Sequence, residues 1–147
     1  MREIIALRHG KDNGSLTDIG KEQMQRAGER IKAIVGERSV YIVSSEKKRA
    51  IESAAIIMGI LGINGQNEQL GDTKLEMNTF YDEVFRALEN RKEEVGVVVG
   101  HKPFVENLPS FFKRNRGFEV QGLRDEIDNG LGYHIDRATR IVKYFFE

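Results

Sequence analysis

Two short apolar runs, residues 4–7 and residues 95–99, most constrain how this chain can fold. Neither run alternates apolar with polar residues, which is typical of strands that are buried on both faces of a sheet. A third strand is predicted at residues 40–43, and longer segments with helical spacing of apolar residues separate the strands. This alternation predicts βαβ units, and therefore a three-layer α/β/α sandwich with a mainly parallel sheet.

Four helices and three further strands complete the predicted fold. The helices are expected over residues 18–35, 46–59, 79–90 and 104–113, and the strands over residues 68–70, 132–135 and 141–146. Thr17 is a predicted N-cap of the first helix, and Thr79 with Asp82 resembles a capping box at the third. Pro109 predicts a kink or a break in the fourth helix. Because a hairpin-short connection joins the last two strands, the C-terminal edge of the sheet should be antiparallel.

The composition describes a single globular domain, residues 1–147. Of the 147 residues, 39% are hydrophobic and 31% are charged, which is typical of a soluble protein. Lysine plus arginine equals aspartate plus glutamate, at 23 each, so no global charge favours nucleic acid or an anionic membrane as a partner. The absence of cysteine excludes disulfides and thiolate chemistry. With no signal-peptide pattern and no apolar segment long enough to cross a bilayer, a cytoplasmic protein is expected.

Charged and polar residues follow the ends of three predicted strands. They are Arg8 and His9 after the first strand, Ser44, Ser45 and Arg49 after the second, and His101 after the strand at residues 95–99. Because parallel strands end at the same edge of a sheet, two histidines and two arginines are expected to meet in one pocket. Gly10, directly after His9, would let the backbone turn sharply and approach a ligand.

Two guanidinium groups and two imidazoles form a suitable site for phosphoryl transfer. Arg8 and Arg49 can bind a phosphate dianion through paired hydrogen bonds, and neighbouring cations lower the pKa of an imidazole towards its neutral, nucleophilic form. His9 could then attack phosphorus, with His101 and the arginines stabilising charge on the equatorial oxygens. Water would hydrolyse the resulting phosphohistidine, and the reaction requires neither a metal nor a cofactor.

Other chemistries fit the pattern less well. Two histidines without a third ligand make a poor zinc or iron site, and adjacent arginines would repel a cation. A serine nucleophile at Ser44 or Ser45 lacks a G-x-S-x-G context. The sequence contains no Walker-type or G-x-G-x-x-G loop that could bind a nucleotide.

Four motifs occur in order along the chain: LRHG at residues 7–10, LTDIGKEQ at 16–23, SSEKKRA at 44–50 and VGHKP at 99–103. They resemble the motifs of the histidine phosphatase superfamily, also called phosphoglycerate mutase-like. The resemblance implies a phosphoglycerate mutase-like fold in which His9 is the phosphorylated nucleophile. It also implies that Arg8, Arg49 and His101 complete the phosphate pocket, with no cofactor.

Two features of the chain indicate which family members it is similar to. Only residues 50–100 separate Arg49 from His101, which leaves little room for the helical cap inserted there in mutases, and the C-terminal tail is short. Both features resemble the small SixA-type phosphohistidine phosphatases, which have no cap insertion and whose open site can admit a protein surface. Glu46 and Lys102 replace the usual proline and asparagine. Lys102 could add charge at the pocket rim, or it could be an ordinary solvated lysine.

The general acid is the least defined part of the predicted site. Many family members carry it in an L-x-E stretch between the second arginine and the second histidine, for which residues 70–72 are the nearest counterpart. Asp72 is the candidate there, with Glu76 and Glu83 as alternatives, although carboxylates in polar loops are mostly just solvated. An imidazole leaving group needs a proton less than an alkoxide does, so a weak acid is compatible with a phosphohistidine substrate.

Three hypotheses follow, which differ in the molecule that the site binds and in whether it catalyses a reaction. The first is a SixA-like hydrolase of phosphohistidine in a partner protein, and the second is a phosphatase of small phosphorylated metabolites. The third is a non-catalytic module that binds phosphate or a phosphopeptide. His134, the remaining histidine, is interpreted as structural or exposed.

Overall fold

The computed structural model describes residues 1–65, 67–71 and 74–145, which form one mixed sheet with helices on both faces. The strands are β1 (Glu3–Arg8), β2 (Val40–Ser45), β3 (Glu68–Leu70), β4 (Val95–Gly100), β5 (Glu119–Gln121), β6 (Gly132–Asp136) and β7 (Ile141–Tyr144). The helices are α1 (Asp18–Val35), α2 (Lys48–Leu61), α3 (Tyr81–Glu89) and α4 (Lys102–Arg116). No helix in the described part of the chain has the length and apolar content needed to cross a membrane.

The strand order β3-β2-β4-β1-β6-β7-β5 places β1 in the middle of the sheet. Strands β1 to β4 run parallel, β6 is antiparallel to both β1 and β7, and β5 pairs in parallel with β7. The prediction of a mainly parallel sheet with an antiparallel C-terminal hairpin is confirmed. In the register, Leu7 and Ser44 both lie beside Val99, so β1, β2 and β4 end at the same level of one edge.

Alternate residues of β1 face opposite layers, and this alternation divides the core in two. Ile5 and Leu7 pack in the cluster formed with α1 and α2, whereas Ile4 and Ala6 pack in the cluster formed with α3 and α4. All four side chains are fully buried. Because both faces of the strand are covered, no polar residue interrupts its apolar run. The predicted three-layer α/β/α sandwich is confirmed.

Helix α1 begins at the predicted position, but α3 does not. Thr17 accepts a hydrogen bond from the Gly20 N–H at 3.1 Å, and Gly36, with a φ of 61°, ends α1. The predicted capping box at Thr79 is wrong, because α3 begins after Phe80 and has no side-chain cap.

Helix α4 and strand β5 differ most from expectation. Helix α4 runs through Pro109 without a break, and the proline is buried together with Phe104 and Phe112. Burial of this apolar face offsets the roughly 3 kcal/mol cost of a proline in a helix interior. The sequence did not predict β5, because its three residues lack an apolar pattern and are ordered by pairing with β7. The last predicted strand ends at Tyr144, and Phe146 lies outside the described residues.

Candidate active site

The ends of β1, β2 and β4 bring together the four side chains that the strand-end argument names. Arg8 ends β1 and His9 follows it, Arg49 lies in the first turn of α2, and His101 connects β4 to α4. They line one open cleft with a volume of about 520 Å³. The other residues in its walls are Asp12, Glu76, Met77, Lys102 and Pro103.

The His9 ring is buried and held in one tautomer. Its Nδ1–H donates to the Gly10 carbonyl oxygen at 2.8 Å, and its Nε2 accepts a hydrogen bond from Arg49 Nε at 3.2 Å. Only the form protonated on Nδ1 makes both bonds, because a carbonyl oxygen cannot donate and a guanidinium cannot accept. Burial lowers the pKa of His9, and the Arg49 and Arg8 cations lower it further, although the Gly10 carbonyl and the Asp12 carboxylate oppose them. His9 is therefore a neutral imidazole with an unprotonated Nε2.

His101 lies edge-on to His9, with the two ring centroids 4.9 Å apart. Its Nε2 is 2.8 Å from Ser45 Oγ, and the same oxygen accepts the Lys47 N–H at 3.2 Å. Ser45 can therefore donate its hydroxyl hydrogen to Nε2, which leaves the imidazole proton on Nδ1. Burial lowers the pKa of His101 to about 3, together with the charge that His9 acquires when it is protonated in acid and with the Arg49 cation. This second imidazole is also neutral at neutral pH.

Arg8 is positioned by the C-terminal half of the chain. Its Nη1 donates to the Ile127 carbonyl oxygen at 2.8 Å, and the Ile127 N–H donates to Glu106 Oε2, also at 2.8 Å. The Arg8 backbone pairs with Gly130 and Leu131. Arg8 Nε is buried and has no hydrogen-bond partner among the described residues. The guanidinium is thus fixed at one end and retains donors that an anion could use.

The cleft also contains a carboxylate that the motifs do not indicate. Asp12 lies with Oδ1 3.9 Å from His9 Nδ1 and with Oδ2 3.8 Å from Arg49 Nη1. Its Oδ2 also accepts the Gly14 N–H at 3.0 Å, which fixes the side chain. Sequence reasoning missed Asp12 because it occupies a polar turn, and its closeness to His9 in sequence is the only signal. The carboxylate raises the pKa of both histidines of the cleft and so opposes the arginines.

The candidate acids and the rim lysine occupy different positions. Asp72 lies outside the described residues. Glu76 is part of the cleft wall, whereas Glu83, in α3, is not. Lys102 also lines the cleft, and its ammonium lies 3.6 Å from the Glu126 carboxylate. A carboxyl group and a cation therefore border the cleft.

His134 and Ser44 do not line the cleft. His134 Nε2 is 2.7 Å from a carboxylate oxygen of Glu3, at the opposite end of β1, where the two side chains join neighbouring strands. Ser44 is buried and donates to the Ser45 carbonyl oxygen at 2.9 Å. In the described ranges, no three histidine, aspartate or glutamate side chains converge in an arrangement that could hold a metal ion.

The α/β sandwich, with two histidines and two arginines at the ends of its parallel strands, is similar to proteins of the histidine phosphatase class. Residues 4–70 match the family model of the histidine phosphatase superfamily (branch 1). This segment includes Arg8, His9 and Arg49. The match and the fold together confirm the resemblance that the four motifs indicate. The chain has no significant match among curated protein sequences.

Solved structures that share this fold include two phosphatases and a mutase. The protein histidine phosphatase SixA, complexed with tungstate, is 16% identical, with a TM-score of 0.69 over 97% of this chain and 93% of that one. Mycobacterial glucosyl-3-phosphoglycerate phosphatase is 14% identical, with a TM-score of 0.65 over 98% and 97%. Phosphoglycerate mutase from Plasmodium falciparum is 18% identical, with a TM-score of 0.60 over 97% and 87%. At these identities the likeness establishes the fold.

Proposed function

We propose that this protein is a phosphohydrolase that acts through a covalent phosphohistidine at His9. The Nε2 lone pair attacks phosphorus, and the N–P bond forms as the bond between phosphorus and the leaving group breaks. Water then attacks the phosphohistidine, which releases inorganic phosphate and restores the neutral imidazole. The observation that carries the proposal is the tautomer of His9, protonated on Nδ1 with the Nε2 lone pair facing Arg49.

The hydrogen bond from Arg49 to His9 indicates how substrate binding would start the reaction. In the free site, Arg49 Nε donates to the lone pair that must attack. A phosphate dianion is a stronger acceptor than a neutral imidazole, so it draws the guanidinium to the phosphoryl oxygens and frees Nε2. Arg8 and His101 provide further donors for the equatorial oxygens, where charge accumulates. Because Arg8 and Arg49 supply the positive charge, activity should persist in EDTA.

The substrate we infer is phosphohistidine in a partner protein, as in SixA. The cleft is open, and Met77 in its wall is 48% exposed, so a folded surface can approach the mouth. The structural match to SixA extends over nearly the whole of both chains. The imidazole of a phosphohistidine also leaves with less need of a proton than an alkoxide does. The site can therefore act on this substrate without a strong general acid.

A phosphatase of small phosphate monoesters is the alternative, and Glu76 favours it. This carboxyl group lines the cleft and could protonate a leaving alkoxide, the role that the sequence suggests for Asp72. The two substrate classes therefore differ in their dependence on an acid. Hydrolysis of a sugar phosphate needs the proton, whereas hydrolysis of a phosphohistidine needs it less.

The two functions are separated by measuring hydrolysis of both substrate classes in variants that lack a candidate general acid. We expect the wild type to hydrolyse a phosphohistidine protein at least about tenfold more efficiently than sugar phosphates, and Glu76→Gln and Asp72→Asn to change that rate little. A preference for sugar phosphates, lowered by about 100-fold or more in either variant, would assign the small-molecule function instead.

The covalent step is tested by trapping the enzyme during turnover of a radioactively labelled substrate. Wild-type protein should carry an acid-labile, alkali-stable label, and His9→Ala should carry none. His134→Gln is the matched control, because it removes a histidine far from the cleft, and it should retain the label. Phosphate binding without labelling or turnover in the wild type would instead indicate a non-catalytic phosphate-binding module.

A further inference from the structure

The segment that follows His9 is held between two helices by side chains that take no part in the proposed reaction. A Cβ at Gly10 would lie 2.6 Å from the carbonyl oxygen of Gly20 in α1, so no larger residue fits there. On the other side, Ser53 of α2 is fully buried against the same segment. The peptide groups on both sides of Gly10 are therefore within reach of side chains from α1 and α2.

The peptide between His9 and Gly10 is fixed at both of its polar atoms. The Gly10 N–H donates to Ser53 Oγ at 3.0 Å, and the His9 carbonyl oxygen accepts a hydrogen bond from Asn129 Nδ2 at 2.9 Å. Ser53 donates its own hydroxyl hydrogen to the Arg49 carbonyl oxygen at 2.7 Å. Ser53 thus connects the backbone next to His9 with the helical turn that carries Arg49.

The following peptide, between Gly10 and Lys11, holds the imidazole itself. Its carbonyl oxygen accepts the His9 Nδ1–H at 2.8 Å, and its N–H donates to Oε1 of Gln23 in α1 at 2.9 Å. Rotation of this peptide would take the acceptor away from Nδ1, and the ring could then carry its proton on Nε2. An Nε2 that carries a proton has no lone pair with which to attack phosphorus.

We propose that Gln23 and Ser53 are positioning residues that fix the tautomer of His9 through the two peptides of Gly10. The proposal rests on the proposed role of His9 as nucleophile, and it assigns a task to the last residue of the LTDIGKEQ motif. Gln23 acts through the Lys11 N–H and Ser53 through the Gly10 N–H, so neither residue touches the substrate. Their loss should slow phosphorylation of His9, while the arginines continue to bind phosphate.

Kinetics of paired variants test this division between chemistry and binding. We expect Gln23→Ala and Ser53→Ala to lower kcat about 10- to 100-fold, the range found when metal-binding histidines lose an outer hydrogen-bond partner, with less than about a threefold change in inhibition by phosphate. Gln23→Glu and Ser53→Thr keep the accepting oxygen and should recover most of the lost rate. Gln25→Ala is the matched control, because Gln25 is exposed two residues further along the same helix, and it should retain kcat.

Nitrogen NMR of labelled histidine measures the tautomer without turnover. Wild-type His9 should be protonated on Nδ1 only, and the two alanine variants should show a mixture. Because Gln23 is partly exposed, Gln23→Ala remains informative even if the buried Ser53→Ala fails to fold. A wild-type His9 protonated on Nε2, or a Gln23→Ala variant that behaves like Gln25→Ala, would overturn the proposal. Absence of a phosphoenzyme in the wild type would refute the nucleophilic role of His9, while the tautomer measurement would still decide the role of Gln23.

Discussion

The low pKa of His101 should make the protein lose stability in mild acid, and His101→Gln should remove that loss. His101 is only 5% exposed, and its pKa is lowered from 6.5 to about 3 by burial, by the charge that His9 acquires when it is protonated in acid, and by the Arg49 cation. An unfolded chain restores the ordinary pKa, so below about pH 6.5 the unfolded state binds a proton that the folded state does not. The unfolded state is therefore increasingly favoured as the pH falls, until both states are protonated below about pH 3.

The size of this effect follows from the two pKa values. Each pH unit below 6.5 costs about 1.4 kcal/mol, so a change from about pH 7 to about pH 4.5 should lower the unfolding free energy by about 3 kcal/mol through His101 alone. This is a large share of the roughly 5–15 kcal/mol that stabilises a typical domain. His9, whose pKa is also lowered by burial, contributes in the same direction. The contribution of His101 is therefore isolated by comparing the wild type with His101→Gln in the unfolding free energy that each loses between the two pH values.

Urea unfolding of three proteins at these two pH values measures that difference. His101→Gln retains a side chain that can bond to Ser45 but does not titrate, so it should lose about 3 kcal/mol less than the wild type. Lys102→Gln removes a positive charge from the neighbouring position, which is partly exposed, and should follow the wild type. Equal losses in the wild type and in His101→Gln would refute the conclusion that the folded protein keeps a buried, neutral imidazole here.

Substitutions at two further positions, Asp12 and Glu106, test the supports of the cleft. Asp12→Asn removes a carboxylate that raises the pKa of His9. The acid limb of the pH profile of kcat/KM should therefore move about 0.7 pH unit lower, as expected for the loss of a charge about 4 Å away in water. An unmoved limb would contradict this electrostatic role. Glu106→Ala should raise KM about tenfold, because Ile127, whose carbonyl oxygen accepts from Arg8, loses the acceptor of its own N–H, whereas Glu106→Gln keeps an acceptor and should stay near the wild-type KM. Equal KM values in the two Glu106 variants would show that this residue does not position Arg8.

The sequence could predict that the candidate catalytic side chains lie close together, because neighbouring parallel strands end at the same edge of a sheet. Arg8 and His101 lie at the ends of apolar runs that are buried on both faces, and such strands end at one edge. The short strand β5 and the continuous helix α4 could not be predicted in the same way. Strand β5 acquires its order from β7, and Pro109 is tolerated because the helix face around it is buried.

The sequence by itself determined the fold class and the candidate reactive groups, through apolar runs and motifs that can be recognised locally. Only the tertiary structure decided the state of those groups. The tautomer of His9 depends on Gln23 and Ser53, and the neutrality of His101 depends on its burial beside His9 and Arg49. Hydrogen bonds and desolvation act over a few ångströms in space. The residues that meet within that distance here are far apart along the chain and share no periodic pattern, so their effect on the site becomes visible only in the folded protein.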